Sequence, residues 1–102
     1  MSKQITIDGV DYVPALSHSP VRIVVLQRGW VVVGRHHVRD DGQIEVTDAS
    51  VVRRWGTTKG LGELRSGPTS NTVLDPCGRV EAHPLSVVLT LEVDADAWIE
   101  HL

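Results

Sequence analysis

The residues best suited to chemistry in this sequence stand together in one glycine-rich segment, residues 53–64. The segment reads Arg-Arg-Trp-Gly-Thr-Thr-Lys-Gly-Leu-Gly-Glu-Leu. Glycines let backbone N–H groups approach an anion closely, because no Cβ atom stands in the way. Cationic side chains add charge, and an arginine guanidinium can hold a phosphate through two hydrogen bonds. This combination predicts a site for a phosphate-bearing ligand.

Each residue type in the segment has its own role in the predicted site. The cationic side chains contact the phosphates, the threonine hydroxyls and glycine amides surround them, and the tryptophan stacks on a nucleobase. We therefore assign ligand binding to Arg53, Arg54, Trp55, Thr57, Thr58, Lys59, Gly60 and Gly62. The alternative interpretation is an Ω-loop whose glycines satisfy turn geometry, with Trp55 and Leu61 filling the core.

The charge of the chain is distributed unevenly around this segment. The 102 residues carry a formal net charge of −3. Residues 50–72 hold four basic residues against one acidic residue, whereas residues 73–102 hold one basic residue against six acidic ones. A basic segment in an acidic chain favours an anion site or a contact between copies, although arginines on a surface are often only solvated. A nucleic-acid partner is not expected, because such proteins are generally basic.

Other catalytic or metal-binding arrangements are not recognisable. The Walker and dinucleotide glycine motifs are absent, as are paired cysteines or histidines at metal-ligand spacing. His36 and His37 are adjacent, so in a strand they face opposite sides. Cys77 stands six residues before His83, a spacing that fits no known nucleophile signature. We therefore expect a non-enzymatic protein with no metal and no cofactor.

The elements that must position the segment are predicted to be strands. Valine dominates the apolar residues, and β-branched side chains fit a pleated sheet better than a helix. We expect a mainly β fold of about six to eight short strands, as a small antiparallel sheet or partly open barrel. The glycine-rich central loop would lie across this sheet, with at most one helical turn near residues 61–64. Predicted strands cover residues 5–7, 10–13, 21–27, 30–38, 43–47, 72–74, 79–82 and 85–93, and residues 49–55 favour a strand over a helical turn.

Turn residues set the limits of these strands. Asp8-Gly9 predicts a two-residue hairpin turn, and Pro14 is expected to end the second strand of that hairpin. Residues 15–20 then read as a loop. Arg28-Gly29 and residues 39–42 predict further turns. Gly34, inside a strand, predicts a bulge or a close backbone approach.

Two further boundary predictions concern the second half of the chain. Asp75 precedes proline and is therefore expected to end the short strand that begins at Thr72. Asp94 is expected to cap a short C-terminal helix that contains residues 97–99.

Length and composition set the outer bounds of these expectations. A chain of 102 residues fits a single domain, residues 1–102. No apolar run approaches the ~20 residues that span a bilayer, the N-terminus has no secretory signal, and a single cysteine suits a reducing compartment. A soluble intracellular protein without membrane contact is therefore expected.

The central WGTTKGLGEL motif and its surroundings resemble a family of short proteins encoded by bacteriophages and prophages. The resemblance covers most of the chain and rests on residues 5–12, 24–30, 51–64, 67–69 and 72–78. It implies a phage setting, and hence the host cytoplasm, and it transfers no catalytic chemistry to any residue.

The resemblance to phage proteins suggests which functions to expect for the predicted anion site. One class of phage proteins that inhibit host defence consists of oligomeric proteins that sequester nucleotide immune signals without cleaving them. By analogy, we expect this chain to bind an anionic small molecule, such as a cyclic nucleotide, at the interface of a homo-oligomer. The alternative is a protein–protein interaction module that inhibits a host factor or forms a small part of the virion, with the acidic C-terminal third binding a basic partner.

Overall fold

The protein is mainly β. The computed structural model describes residues 5–7, 10–12 and 19–102 of the chain. Within these residues the strands are β1 (Ile5–Ile7), β2 (Val10–Tyr12), β3 (Val21–Leu26), β4 (Val31–Val38), β5 (Ile44–Arg54), β6 (Val73–Ala82) and β7 (Val87–Glu92). The last five strands form one antiparallel sheet in the order β6-β5-β4-β3-β7. The predicted fold class is confirmed, and the sheet is open rather than closed into a barrel.

The predicted N-terminal hairpin is present as two paired strands. β1 and β2 are antiparallel, and Ile7 lies opposite Val10. The predicted turn at Asp8-Gly9, the strand end at Pro14 and residues 15–18 of the predicted loop lie outside the described residues.

The helices are all short. Segments of 3₁₀ helix span Gln27–Gly29, Leu61–Ser66, Pro84–Ser86 and Ile99–His101, and one α-helix, α1, spans Ala95–Trp98. Asp94 caps α1, since its Oδ1 accepts a hydrogen bond from the Asp96 N–H at 3.1 Å. The predicted cap and C-terminal helix are therefore confirmed. In the described part of the chain, none of these helices has the length and apolarity needed to cross a membrane.

A bulge opposite Gly34 makes β5 a single long strand where two were expected. Val33 lies opposite Ser50, but Arg35 lies opposite Thr47, so β5 carries one extra residue between these two pairs. A Cβ atom on Gly34 would collide with the Thr47 carbonyl. The predicted close approach at this glycine is thus confirmed. Asp48, within the bulge, has a φ of 50°.

The predicted strand end at Asp75-Pro76 is wrong, because β6 continues from Val73 through Pro76 to Ala82. β6 is an edge strand of the five-stranded sheet, where a proline is tolerated because only one side of the strand needs backbone donors. The register also shifts between the pairs Ala49–Gly78 and Ser50–Pro76, so the ladder is irregular next to the proline.

The sheet carries an apolar core on each face. The core of what we call the helix-covered face contains Val21, Ile23, Val31, Val33, Val52, Leu64 and Trp98. The core of the opposite face contains Val24, Val32, Ile44, Val46 and Ala49. Because Leu64 belongs to the central loop and Trp98 to α1, these two side chains join the loop and the helix to the sheet.

Candidate anion-binding site

The second half of the central loop is fixed across the helix-covered face. Leu64 is fully buried, and its carbonyl accepts a hydrogen bond from Trp98 Nε1 at 2.8 Å. The Arg65 carbonyl accepts a hydrogen bond from the Asp94 N–H at 2.8 Å, and Arg65 Nε donates to the Glu92 carbonyl at 3.2 Å. The predicted position of the loop across the sheet is therefore confirmed. The predicted limit of one helical turn near residues 61–64 is wrong, because the 3₁₀ segment Leu61–Ser66 has six residues, which is about two turns.

The base of the loop is closed by two threonines. Thr72 Oγ1 donates to the Trp55 carbonyl and Thr69 Oγ1 donates to the Gly56 carbonyl, each at 2.7 Å. Thr72 Oγ1 also accepts a hydrogen bond from the Thr69 N–H at 2.8 Å. Gly56 has a φ of 66°, and a Cβ atom there would overlap the backbone at Asn71. These contacts fix where the exposed part of the loop begins.

Replacing Thr72 with valine is expected to lower the free energy of unfolding by about 1–3 kcal/mol, because the substitution leaves the Trp55 carbonyl and the Thr69 N–H without their partner. Urea denaturation measures the change. Thr57→Val is the matched control, since no hydrogen bond of the Thr57 side chain is found in the described residues. Equal stability of the two variants would contradict the role of Thr72 in closing the loop.

The exposed first half of the loop holds a carboxylate oxygen. Thr58 Oγ1 and the Lys59 N–H both donate to Glu63 Oε1, each at 3.2 Å. Charge-assisted hydrogen bonds are normally shorter, at about 2.5–2.9 Å, so the carboxylate is held loosely. The contact resembles a capping box, in which an acidic residue of the first helical turn reaches back to a preceding backbone N–H. The loop therefore has two convergent donors for an anionic oxygen.

The cationic side chains of the segment differ in how far they are engaged. Arg53 Nε lies 2.8 Å from Asp75 Oδ2, so that guanidinium already has an anionic partner. Arg54 and Lys59 are exposed, and in the described part of the chain their side chains have no ion pair. Two of the three predicted cations are thus free to meet a ligand.

The remaining predicted residues surround the same turn. Trp55 is 43% exposed, so it does not fill the core as the Ω-loop interpretation expects. Leu61 does pack against the core of the helix-covered face, in agreement with that interpretation. The Gly60 carbonyl accepts a hydrogen bond from the Glu63 N–H at 3.2 Å, and Gly62 is exposed in the following 3₁₀ segment.

Sequence reasoning missed an ion-pair network near the other end of β5. Glu45 is buried at 6% exposure, and its Oε2 accepts a hydrogen bond from Arg79 Nε at 2.7 Å. Arg39 Nη1 lies 2.7 Å from Glu81 Oε2, and Arg39 Nη2 lies 3.1 Å from Asp41 Oδ2. Glu45 lies opposite Glu81 across the β5–β6 pair. The Arg-x-Glu spacing of Arg79 and Glu81 in β6 is the one sequence feature that relates to this network. It predicts the contact with Glu45 only when the register between β5 and β6 is known.

The pKa values of Glu45 and His36, which both lie in the sheet, are shifted for identifiable reasons. The hydrogen bond from Arg79 lowers the pKa of Glu45, and the positive charges of Arg79 and Arg39 add to this effect against the opposing effect of burial. Burial lowers the pKa of His36, and the nearby charges of Arg22 and His37 lower it further.

The lowered pKa of Glu45 predicts a loss of stability in acid. The unfolded chain takes up this proton near pH 4.5, whereas the folded chain does so only at lower pH. The stabilisation is therefore complete above pH 4.5 and is lost progressively as the pH falls through the folded-state pKa. The urea midpoint of Glu45→Gln is expected to fall less between neutral and acidic pH than the urea midpoint of Glu100→Gln, the exposed control. An equal fall in the two variants would contradict this.

The other titratable candidates are not brought together. His36 lies opposite Val46 and His37 opposite Glu45, so the two imidazoles face opposite sides of the sheet, as expected. Cys77 Sγ contacts the Ala49 carbonyl at 3.5 Å, and His83 Nδ1 accepts a hydrogen bond from the Leu85 N–H at 3.1 Å. No hydrogen bond joins Cys77 to His83 in the described residues, so the structure shows no pair that would activate the thiol.

No protein-family model matches the chain, and no curated protein matches it.

Proposed function

We propose that the chain is a non-enzymatic binder of a phosphate-bearing small molecule, with its site in the exposed first half of the central loop. The observation that carries this proposal is the convergence of the Thr58 hydroxyl and the Lys59 N–H on one oxygen of Glu63. Donors placed in this way suit a phosphate oxygen as well as a carboxylate oxygen. A bound phosphate would take the position that Glu63 Oε1 occupies in the free protein.

Two free cations and an exposed indole support the same site. Arg54 and Lys59 can approach a phosphate without breaking an ion pair that the described residues show. Arg53, in contrast, would first have to leave Asp75. The exposed part of Trp55 offers an aromatic face on which a nucleobase can stack. A nucleotide is the ligand that uses all of these groups together.

The resemblance to phage proteins makes the proposal more specific. We infer that the protein sequesters a nucleotide immune signal in the cytoplasm of the infected host, by binding it without cleavage. Arg54, Trp55, Thr58 and Lys59 are exposed rather than enclosed, so a second copy of the chain would supply the other wall of the site.

Thermal unfolding in the presence of nucleotides tests the proposal. The panel consists of cyclic dinucleotides, cyclic trinucleotides, cyclic ADP-ribose isomers and linear nucleotides. A ligand at 100 times its dissociation constant should stabilise the folded chain by about 2.7 kcal/mol. The proposal predicts a raised melting temperature with at least one cyclic nucleotide. An unchanged melting temperature with every member of the panel would contradict it.

Replacing Glu63 with glutamine is expected to strengthen ligand binding by about fivefold, because the internal carboxylate competes with the phosphate for the same donors and repels it. Isothermal titration measures the change. Glu100→Gln removes an equal charge from an exposed position elsewhere in the chain and serves as the control. Weaker or unchanged binding in Glu63→Gln would show that the ligand does not take the place of the carboxylate.

The second candidate function is a protein–protein interaction module. The exposed apolar side chains of Leu85, Val88 and Leu89 favour it, because such side chains at a sheet edge often mark an interface. A host protein captured equally by the wild-type chain and by a variant combining Arg54→Ala with Lys59→Ala would support this candidate over the nucleotide binder.

A further inference from the structure

A cavity of about 260 Å³ lies between the β5–β6 pair and the C-terminal end of the described chain. Its walls include Asp48 and Ser50 of β5, Pro76 and Gly78 of β6, and residues 100–102. None of these residues belongs to the central loop, so the cavity is separate from the proposed nucleotide site. Pockets that hold drug-sized molecules measure about 300–1,000 Å³, so this cavity suits a smaller ligand.

Ser50 contributes a buried hydroxyl to this cavity. Only 2% of the residue is exposed, and its side chain makes no hydrogen bond within the described residues. Ser50 lies opposite Val33, which belongs to the core of the helix-covered face, so the hydroxyl points to that same face. Since no inaccessible side-chain N or O atom in the described residues lacks a partner, the hydroxyl must reach the cavity that Ser50 lines. Buried hydroxyls normally have a partner, and a bound molecule would supply it.

The bulge in β5 directs a carboxylate to the same cavity. Asp48 has a φ of 50°, a conformation that Asp and Asn adopt more readily than most residues. Bulges commonly re-aim a side chain in this way next to functional sites. Arg35 Nε lies 3.3 Å from Asp48 Oδ2, but the Asp48 side chain is still 61% exposed. Arg35 therefore leaves part of this carboxylate accessible to a ligand.

The charge of the lining favours a cationic ligand. Asp48 and Glu100 are acidic, and no lysine or arginine is among the described residues that line the cavity. Glu100 has no ion pair in the described part of the chain, so one carboxylate stays unmatched even when Arg35 is counted against Asp48. His101, whose ring lies edge-on to Trp98 with 6.1 Å between the ring centroids, adds a nitrogen that can accept a hydrogen bond. Carboxylate, hydroxyl and imidazole all accept hydrogen bonds from an ammonium group.

We propose that this cavity binds the alkylammonium group of a small aliphatic amine. The ammonium donates to the Asp48 carboxylate and the Ser50 hydroxyl, and the Glu100 carboxylate adds attraction. The alkyl chain packs against Pro76 and Leu102. The ligand thus supplies the partner that the Ser50 hydroxyl lacks in the free protein. The same group occurs in a free amine and in a lysine side chain of a peptide, and the experiment distinguishes these two sources.

Isothermal titration of the full chain with butylamine and with Nα-acetyl-lysine methylamide tests this proposal. Saturable binding of at least one of these amines is expected. Binding of butylamine alone assigns the site to a free amine, and binding of the lysine derivative assigns it to a lysine side chain. The controls are 1-butanol, which has a similar shape without the charge, and butyrate, which has the opposite charge. Failure of both amines to bind, or equal binding of 1-butanol, would overturn the proposal.

Two substitutions locate the amine in the cavity. Asp48→Asn, which keeps a side chain that tolerates the positive φ, is expected to weaken amine binding more than about tenfold. Ser50→Ala is expected to weaken it by about two- to tenfold and to leave the urea midpoint without ligand unchanged, because the hydroxyl has no partner to lose within the described residues. Asp40→Asn is the matched control, since Asp40 is exposed and does not line the cavity. Equal losses in Asp48→Asn and Asp40→Asn, or full affinity in Ser50→Ala, would contradict the assignment.

Discussion

Replacing Leu64 with alanine is expected to lower the free energy of unfolding by about 2–5 kcal/mol. Leu64 is fully buried against Trp98 and the valines of the helix-covered face, although it belongs to a loop. The substitution would leave a cavity between the sheet, the 3₁₀ segment and α1. Since small domains are stable by only about 5–15 kcal/mol, a loss of this size should be evident in urea denaturation followed by circular dichroism.

Ile99→Ala is the control for this substitution. It removes a side chain of the same volume one residue after Trp98, at a position that is 51% exposed. Its effect is expected to stay within about 1 kcal/mol. If the Leu64 and Ile99 variants were equally stable, the loop would not be held to the sheet through Leu64, and the position of the proposed site would have no structural basis.

Removing the two free cations of the loop is expected to abolish most nucleotide binding. A hydrogen bond from a charged donor contributes about 1.5–3 kcal/mol, so Arg54→Ala and Lys59→Ala should each weaken binding by about 10- to 150-fold. The double variant is expected to bind at least about 100-fold more weakly than the wild-type chain, as measured by isothermal titration. The melting temperature without ligand should change little, because both side chains are exposed.

Two other arginines make this prediction specific. Arg35→Ala, which removes a guanidinium paired with Asp48 at 3.3 Å in the bulge, is expected to leave the affinity unchanged. Arg53→Ala should have a smaller effect than Arg54→Ala, because Asp75 already holds that guanidinium. A loss of affinity in Arg53→Ala equal to that in Arg54→Ala would place the ligand on the Asp75 side of β5. If the alanine variants of Arg35, Arg53, Arg54 and Lys59 all lost the same affinity, binding would depend on the net charge of the chain and not on the loop.

The features that the sequence predicts correctly depend on neighbouring residues. The turn at Arg28-Gly29 follows from local backbone preferences, and Arg28 does have a positive φ of 67°. Asp94 at the start of α1 is a second example, because its side chain hydrogen-bonds a backbone N–H two residues away. Gly34 is a third, since a glycine inside an apolar strand signals a close backbone approach.

The features that the sequence does not predict depend on which strands lie side by side. Pro76 is compatible with β6 only because β6 is an edge strand, and a local reading of Asp75-Pro76 cannot know this. The burial of Glu45 likewise requires Arg79 to be placed beside it by the β5–β6 register. Both cases depend on long-range pairing rather than on local preference.

The candidate site shows the same division. Its donors and cations are visible in the composition of residues 53–62. The hydrogen bonds of Thr69 and Thr72 that close the loop come from more than ten residues further along the chain, and no spacing in the sequence indicates them. The sequence also does not indicate that the Glu63 carboxylate accepts the Lys59 N–H, because an acidic side chain among basic residues is usually exposed to solvent and does not occupy an anion site.

The amide resonance of Lys59 tests the central claim most directly. In the free protein its N–H donates to the Glu63 carboxylate, and in the proposed complex it donates to a phosphate. Titration of the ¹⁵N-labelled chain with the nucleotide panel is expected to shift the Lys59 and Thr58 amide signals in a saturable way, with the nucleotide recovered chemically unchanged. If no nucleotide shifts the Lys59 signal, the loop is not a phosphate-binding site.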